Sequence, residues 1–248
     1  MPDRCYMCAA EATTREHAPP RSFFPPGFRD GLVTVPSCPM HNNDNSADVE
    51  YVRNVIVCAY PVNEVGLSLA PKTQRSFDRS PVLFAQTFKE WWPVLTPQGS
   101  SGAFRLDVAR FDRVMEAIAC GLYCRDEGKQ YDGKWGIFSP SLSSLKDLLS
   151  GGIDDWERFR RMVASVEFSP RPTTQPRVFK YWVWRESDSR LVYKFDFYEG
   201  FVVNALALPA DFNLQTGLGG VRSADSEPFK SQAGDAHGGL REAARVAG

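Results

Sequence analysis

Residues 32–42 read LVTVPSCPMHN. Leu32 to Pro36 is a short extended run, long enough for one strand. It ends on Cys38 and His41, a C-x-x-H pair whose spacing turns two zinc-type donors toward one point. Asn42 follows directly, at the entry to a segment that changes character. That segment, HNNDNSADVEYVRNVIVCAY (41–60), reads as a helix. Asn45 or Ser46 can cap its start, and Asp48 and Glu50 fall in its first turn, where the helix dipole favours acids. Val49, Val52, Val55 or Ile56, and Ala59 give it an apolar stripe.

Upstream lie CYMC (5–8) and TREHAPP (14–20). Cys5 and Cys8 form a C-x-x-C pair. With Cys38 and His41 they complete a Cys3His set of the kind a structural zinc ion takes. Cys58 is an alternative donor for one of the positions. Thr13 to Glu16 is a second extended piece, and Pro19 and Pro20 stop it just past His17. Residues 1 to about 58 are too polar to form a core alone, so a metal staple is the natural support. Six cysteines could mean disulfides, but nothing in the sequence suggests export, which favours metal binding. Cys120 and Cys124 fall one helical turn apart in an apolar helix and read as core thiols.

The ordered set CYMC…TREHAPP…LVTVPSCPMHN resembles an HNH, or ββα-metal, nuclease of the zinc-stapled kind. The resemblance covers the first quarter of the chain. It implies that Glu16 and Asn42 bind a catalytic divalent ion, Mg2+ or Mn2+, and that His17 is the general base. The implied reaction is hydrolysis of a nucleic-acid phosphodiester bond, with DNA favoured over RNA as partner. The chemistry is coherent without the family. A hard cation held by a carboxylate and an amide oxygen can clamp a phosphate oxygen, and an imidazole can take a proton from water near neutral pH. Three departures stand out. The second knuckle is C-x-x-H where C-x-x-C is common, and Glu16 stands where Asp is more frequent. A middle asparagine has no counterpart, its place being taken by Asp30-Gly31. Asp44, Asp48 or Glu50 offers a further ion ligand; dipole-stabilised surface acids are the plainer reading of all three.

Beyond residue 60 the pattern predicts an α+β accessory region over 61–212 and a flexible tail over 213–248. TPQGSSG (96–102) reads as a loop. FRLDVARFDRVMEAIACGLYCRDEGK (104–129) reads as a strong helix, with Val108, Phe111, Met115, Ile118 and Leu122 on one side and Gly128 as its stop. SLSSLKDLL (141–149) and DDWERFRRMVASV (154–166) read as further helices. From Arg177 to about Leu208 the period becomes two. Phe179, Tyr181 and Val183 face one way, and Tyr193, Phe195 and Phe197 continue the alternation. The fold class is therefore α+β: a small zinc-bound ββα-metal unit at 1–60, a helical region at about 105–165, and an antiparallel three-stranded meander at about 177–208.

Substrate-binding candidates are basic residues among aromatics. Arg177, Lys180 and Arg185 lie on the meander beside Trp182 and Trp184, and Arg158, Arg160 and Arg161 cluster on a helix. His237, in the Gly-rich tail, reads as inert. The formal net charge of −1 over 248 residues argues against a chain-wide electrostatic grip on nucleic acid and leaves room for a local basic surface. No secretion signal and no membrane-length apolar run is visible, so a soluble cytoplasmic protein with no membrane partner is expected. Oligomerisation stays open. The alternative to a nuclease is a zinc-stapled module that binds nucleic acid or protein without catalysis.

Overall fold

The computed structural model describes residues 4–43, 46–59, 62–96, 99–142, 161–187 and 190–211. Asp44, Asn45, Arg158, Arg160 and the tail with His237 lie outside the described residues, as does most of the predicted helix over 141–149, of which 141–142 belong to a 3-10 turn, and most of the predicted helix over 154–166, of which 161–165 is helical.

The N-terminal unit is built as its sequence suggests. Strands β1 (Thr14–His17) and β2 (Thr34–Ser37) pair antiparallel, with Glu16 opposite Val35 and His17 opposite Thr34. A short helix α1 (Pro39–Asn43) carries His41 and Asn42, and α2 (Ser46–Cys58) follows. Residues 51–57 of α2 are all buried, including Arg53 and Asn54. Buried polar groups need partners. Arg53 donates to Glu50 and Asn54, Thr73 donates to Asn54, and Ser76 donates to Glu50. Thr73 and Ser76 belong to α4 (Ala70–Arg79), which follows the single turn α3 (Glu64–Leu67) and precedes α5 (Pro81–Thr87).

Residues 99–102, expected as loop, are strand. β3 (Trp92–Thr96) and β4 (Gly99–Ala103) form an antiparallel hairpin. The predicted long helix is α6 (Val108–Glu127). Asp107 caps it, its side chain accepting the Arg110 N–H at 3.2 Å, and Gly128 ends it at φ +68. Met115, Ile118 and Leu122 are fully buried, while Val108 at its start is exposed.

The predicted meander is the centre of a wider sheet. β7 (Phe179–Ser187), β8 (Arg190–Phe197) and β9 (Phe201–Leu208) pair as expected, and Phe179, Tyr181, Val183, Tyr193, Phe195 and Phe197 are buried. Two further strands, β5 (Lys134–Phe138) and β6 (Ser169–Arg171), extend it to the order β5-β9-β8-β7-β6. β6 carries Pro170 and sits at an edge, where a missing N–H is tolerated.

α6 is the spine. It packs against α2, β2, β5 and β9, so one apolar core links residues from the N-terminal unit, the helices and the sheet. Phe23, in the 3-10 turn Arg21–Phe23 that follows β1, meets Phe197 edge-on at 5.7 Å. The chain beyond His17 is thereby anchored in the sheet's core.

Two consequences are measurable. Gly121 lies where α6 meets the end of β1; a Cβ there would stand 2.6 Å from Ala18 Cβ. Gly121→Ala is expected to cost about 1–3 kcal/mol by overpacking, read as a lower denaturation midpoint. Glu116, on α6, is pushed up to about 7 by burial and by Asp112, against the pull of Arg113. Its carboxyl is neutral in both folded and unfolded states at low pH, and its charge opposes folding once it ionises. The melting temperature of Glu116→Gln should match the parent below pH 4.5 and exceed it increasingly up to about pH 7.

Candidate functional site

The knuckle that carries Cys5 and Cys8 is closed by the Cys5 N–H on the Ala10 carbonyl at 2.9 Å and by a bridge between Arg4 and Glu11. The Tyr6 N–H donates to the Pro36 carbonyl at 2.8 Å, which lays this knuckle against β2. Cys38 follows the last residue of that strand, and His41 sits on α1. The four donor atoms all fall within 4.8 Å of one another. His41 Nδ1 is 3.4 Å from Cys5 Sγ and 3.3 Å from Cys38 Sγ, and Cys8 Sγ is 3.8 Å from Cys38 Sγ. A tetrahedron with Zn–S bonds of about 2.3 Å and Zn–N bonds of about 2.0–2.1 Å has S–S edges of about 3.8 Å and S–N edges of about 3.6 Å. The donor types fit zinc, and these three edges lie within about 0.3 Å of those values. None of the six cysteines is in a disulfide, and Cys58 stands outside the group.

The surroundings act on Cys5 and Cys8 in opposite directions: the Ala10 backbone acts to lower the Cys8 thiol, but burial and hydrogen bonds with Cys38 and Cys5 hold it above its ordinary value. Burial pushes the Cys5 thiol up, but the backbone N–H groups of Met7, Cys38 and Cys8 outweigh it and bring the group down to about 7. A metal-ligating cysteine must be deprotonated, so this direction favours loading. Gln130, just beyond α6, donates its amide N–H groups to the carbonyls of both Cys5 and Cys8. Nothing in the sequence pattern marks Gln130, because its partners lie more than a hundred residues away.

Glu16, His17 and Asn42 line one cleft of about 200 Å³, together with His41, Arg21 and Ser22. The opposite wall is Val49 from α2 and Val114, Ala117 and Ile118 from α6. Glu16 Oε1 accepts the His17 backbone N–H at 2.9 Å, and its Oε2 meets no donor among the described residues. Burial holds the Glu16 carboxyl above its ordinary value. Burial and then the Arg21 guanidinium hold the His17 imidazole below its ordinary value, toward the neutral form that accepts a proton. Ser22 Oγ is buried without a partner among the described residues. An orphan hydroxyl on a cleft wall calls for a water or ligand oxygen. Arg21 and Ser22 escape a sequence reading because the 3-10 turn, not a motif, brings them to the cleft.

The other candidates are placed elsewhere. Burial acts to raise the Asp48 carboxyl, yet hydrogen bonds from Arg113 and Arg110, at 2.8 and 2.6 Å, hold it below its ordinary range. Glu50 belongs to the Arg53 network. Neither lines the cleft. Asp30-Gly31 forms a turn, with Gly31 at φ +66 and both carbonyls accepting from Thr174 and Gln175. On the sheet, Arg177 pairs with Glu64, Lys180 with Glu199 at 2.8 Å, and Arg185 with Glu127 at 2.6 Å. None of the three reaches the cleft. Among the described residues no helix is long and apolar enough to cross a membrane.

No protein-family model, no curated protein and no solved structure matches this chain. The purified protein is expected to carry about one zinc ion per chain by elemental analysis. Cys38→Ser should lose the ion and melt roughly 5 °C or more below the parent, while Cys58→Ser should keep the ion.

Proposed function

We propose that the chain is an HNH-type endonuclease that hydrolyses nucleic-acid phosphodiester bonds with Mg2+ or Mn2+, DNA being the favoured substrate. One observation carries the reading: a carboxylate, an imidazole and an amide from β1 and α1 meet in a single cleft beside a zinc-type knuckle. A plain zinc knuckle has no need of that second constellation.

The cleft's chemistry suits the assignment. Glu16 offers an open carboxylate oxygen and Asn42 an amide oxygen, the hard donors that Mg2+ or Mn2+ takes. Such an ion, when bound, neutralises a phosphate oxygen and stabilises the leaving oxygen. His17 takes the proton from the attacking water. Arg21, which lines the same cleft, supplies a permanent positive charge for the phosphate. About 200 Å³ is smaller than the roughly 300–1,000 Å³ that encloses a drug-sized ligand. The cleft therefore takes the phosphate, and the rest of the strand crosses its mouth.

Purified protein should nick plasmid DNA in Mg2+ or Mn2+. His17→Ala should lower the rate by about 10²–10⁴-fold, the usual contribution of a general base, while retaining its zinc and melting temperature. Undiminished cleavage by that variant would remove His17 from the base role. Binding without cleavage of DNA or RNA under any divalent ion would identify a non-catalytic zinc-stapled binding module instead.

A further inference from the structure

We infer that a second groove, between the end of α5 and the start of α6, holds the backbone of the substrate strand on one side of the cleft. This rests on the nuclease reading for the position of the scissile phosphate. The groove measures about 480 Å³ and is lined by Gln86, Lys89, Arg105, Leu106, Asp107 and Arg110. Three cations and one carboxylate line it; that carboxylate caps α6, and Glu90 and Asp48 pair with Arg105 and Arg110 from outside the lining.

Each cation keeps donors to offer. Arg105 binds Glu90 through Nη1 alone, leaving Nε and Nη2 without partners among the described residues. Arg110 is fixed rather than free. Its Nε donates to Asp48, its Nη2 to the Ala47 carbonyl, and its guanidinium lies 4.4 Å from the centre of the Tyr51 ring. Nη1 remains. Lys89 is exposed and meets no carboxylate among the described residues. A rigid arginine beside an exposed lysine suits a phosphodiester chain, which needs charge at a set position with little ordering cost.

The placement relative to the cleft is set by α6. Arg110 lines the groove and Ala117 the cleft, seven residues further along the same helix. At 1.5 Å per residue the separation is about 10 Å. Along a duplex axis, where each strand presents one phosphate per roughly 3.4 Å, that is about three nucleotide steps. A base platform stands nearby. Trp92 is 41% exposed. It opens the β3–β4 hairpin, whose root is closed by the Arg105 N–H on the Lys89 carbonyl at 2.7 Å. Exposed tryptophan beside cations is the combination that binds single strands through stacking and charge. Arg177, Lys180 and Arg185 on the sheet are each matched by a carboxylate, as Arg105 and Arg110 are, whereas Lys89 in the groove meets none among the described residues.

The test uses the full chain with His17→Ala as background, and fluorescence anisotropy with short labelled single-stranded DNA, duplex DNA and RNA over a salt series without added divalent ion. Lys89→Gln should weaken binding and lower the slope of log affinity against log salt by about one. Trp92→Ala should weaken binding about five-fold or more and leave the slope unchanged. Lys180→Gln should change neither. The polymer on which these effects are largest identifies the strand type. The proposal is overturned if Lys89→Gln and Trp92→Ala both bind as the background does, or if none of the three polymers binds at low salt. Wild-type cleavage is assayed in parallel. Groove effects without cleavage would sink the nuclease and keep the groove as a nucleic-acid site; cleavage with unchanged groove variants would do the reverse.

Discussion

Cys5 and His41 are 36 residues apart in the chain, yet their donor atoms approach to 3.4 Å, and Cys8 and Cys38 close the same tetrahedron. Everything near the cleft depends on that convergence. β1 and β2 share only four paired positions, fewer than an isolated hairpin needs in water. The knuckle fixes the end of β2 through the Tyr6–Pro36 hydrogen bond, and β2 in turn fixes the register that sets Glu16 and His17. Asn42 follows the last donor by one residue, so its position is tied to the same point.

The second support is α6. Its mid-section, Val114 to Ile118, forms a wall of the cleft, and its opposite side is buried with the sheet. Beyond its C-terminal end Gln130 holds the carbonyls of Cys5 and Cys8. Close approach is possible because Gly121 removes a side chain where Ala18 and Val35 press in. The metal-type group and the helix thus act on the same few residues from two sides. Neither the polar N-terminal segment nor the helix would define the cleft alone.

Local chemistry was readable in the sequence, and long-range partnership was not. The C-x-x-C and C-x-x-H pairs, the Glu16–His17 step and the Gly128 stop of α6 depend on neighbours within a few residues, so spacing exposes them. The alternation of β7 and β8 reads equally well, because one face is buried in aromatics. β5 and β6 escaped notice. One is a five-residue run just after a helix, and the other is three residues with a proline, and both are strands only because β9 and β7 offer them an edge. The roles of Asp48 and Glu50 were equally hidden. A first-turn acid looks like a dipole effect until Arg110 and Arg113 are brought in from more than sixty residues away. Residues 99–102 read as loop from their Gly and Ser content, whereas hairpin pairing with 92–96 overrides that composition.

The Gln130 contact also bears on how such a chain can be rearranged in evolution. A recombination event that moved residues 4–58 alone into another protein would carry all four cysteine and histidine donors and the Glu16–His17–Asn42 set. It would leave behind the amide that holds the first knuckle and three of the four apolar side chains that close the cleft's far wall. The transferable unit is therefore discontinuous in sequence. It comprises the N-terminal segment plus residues 114–130.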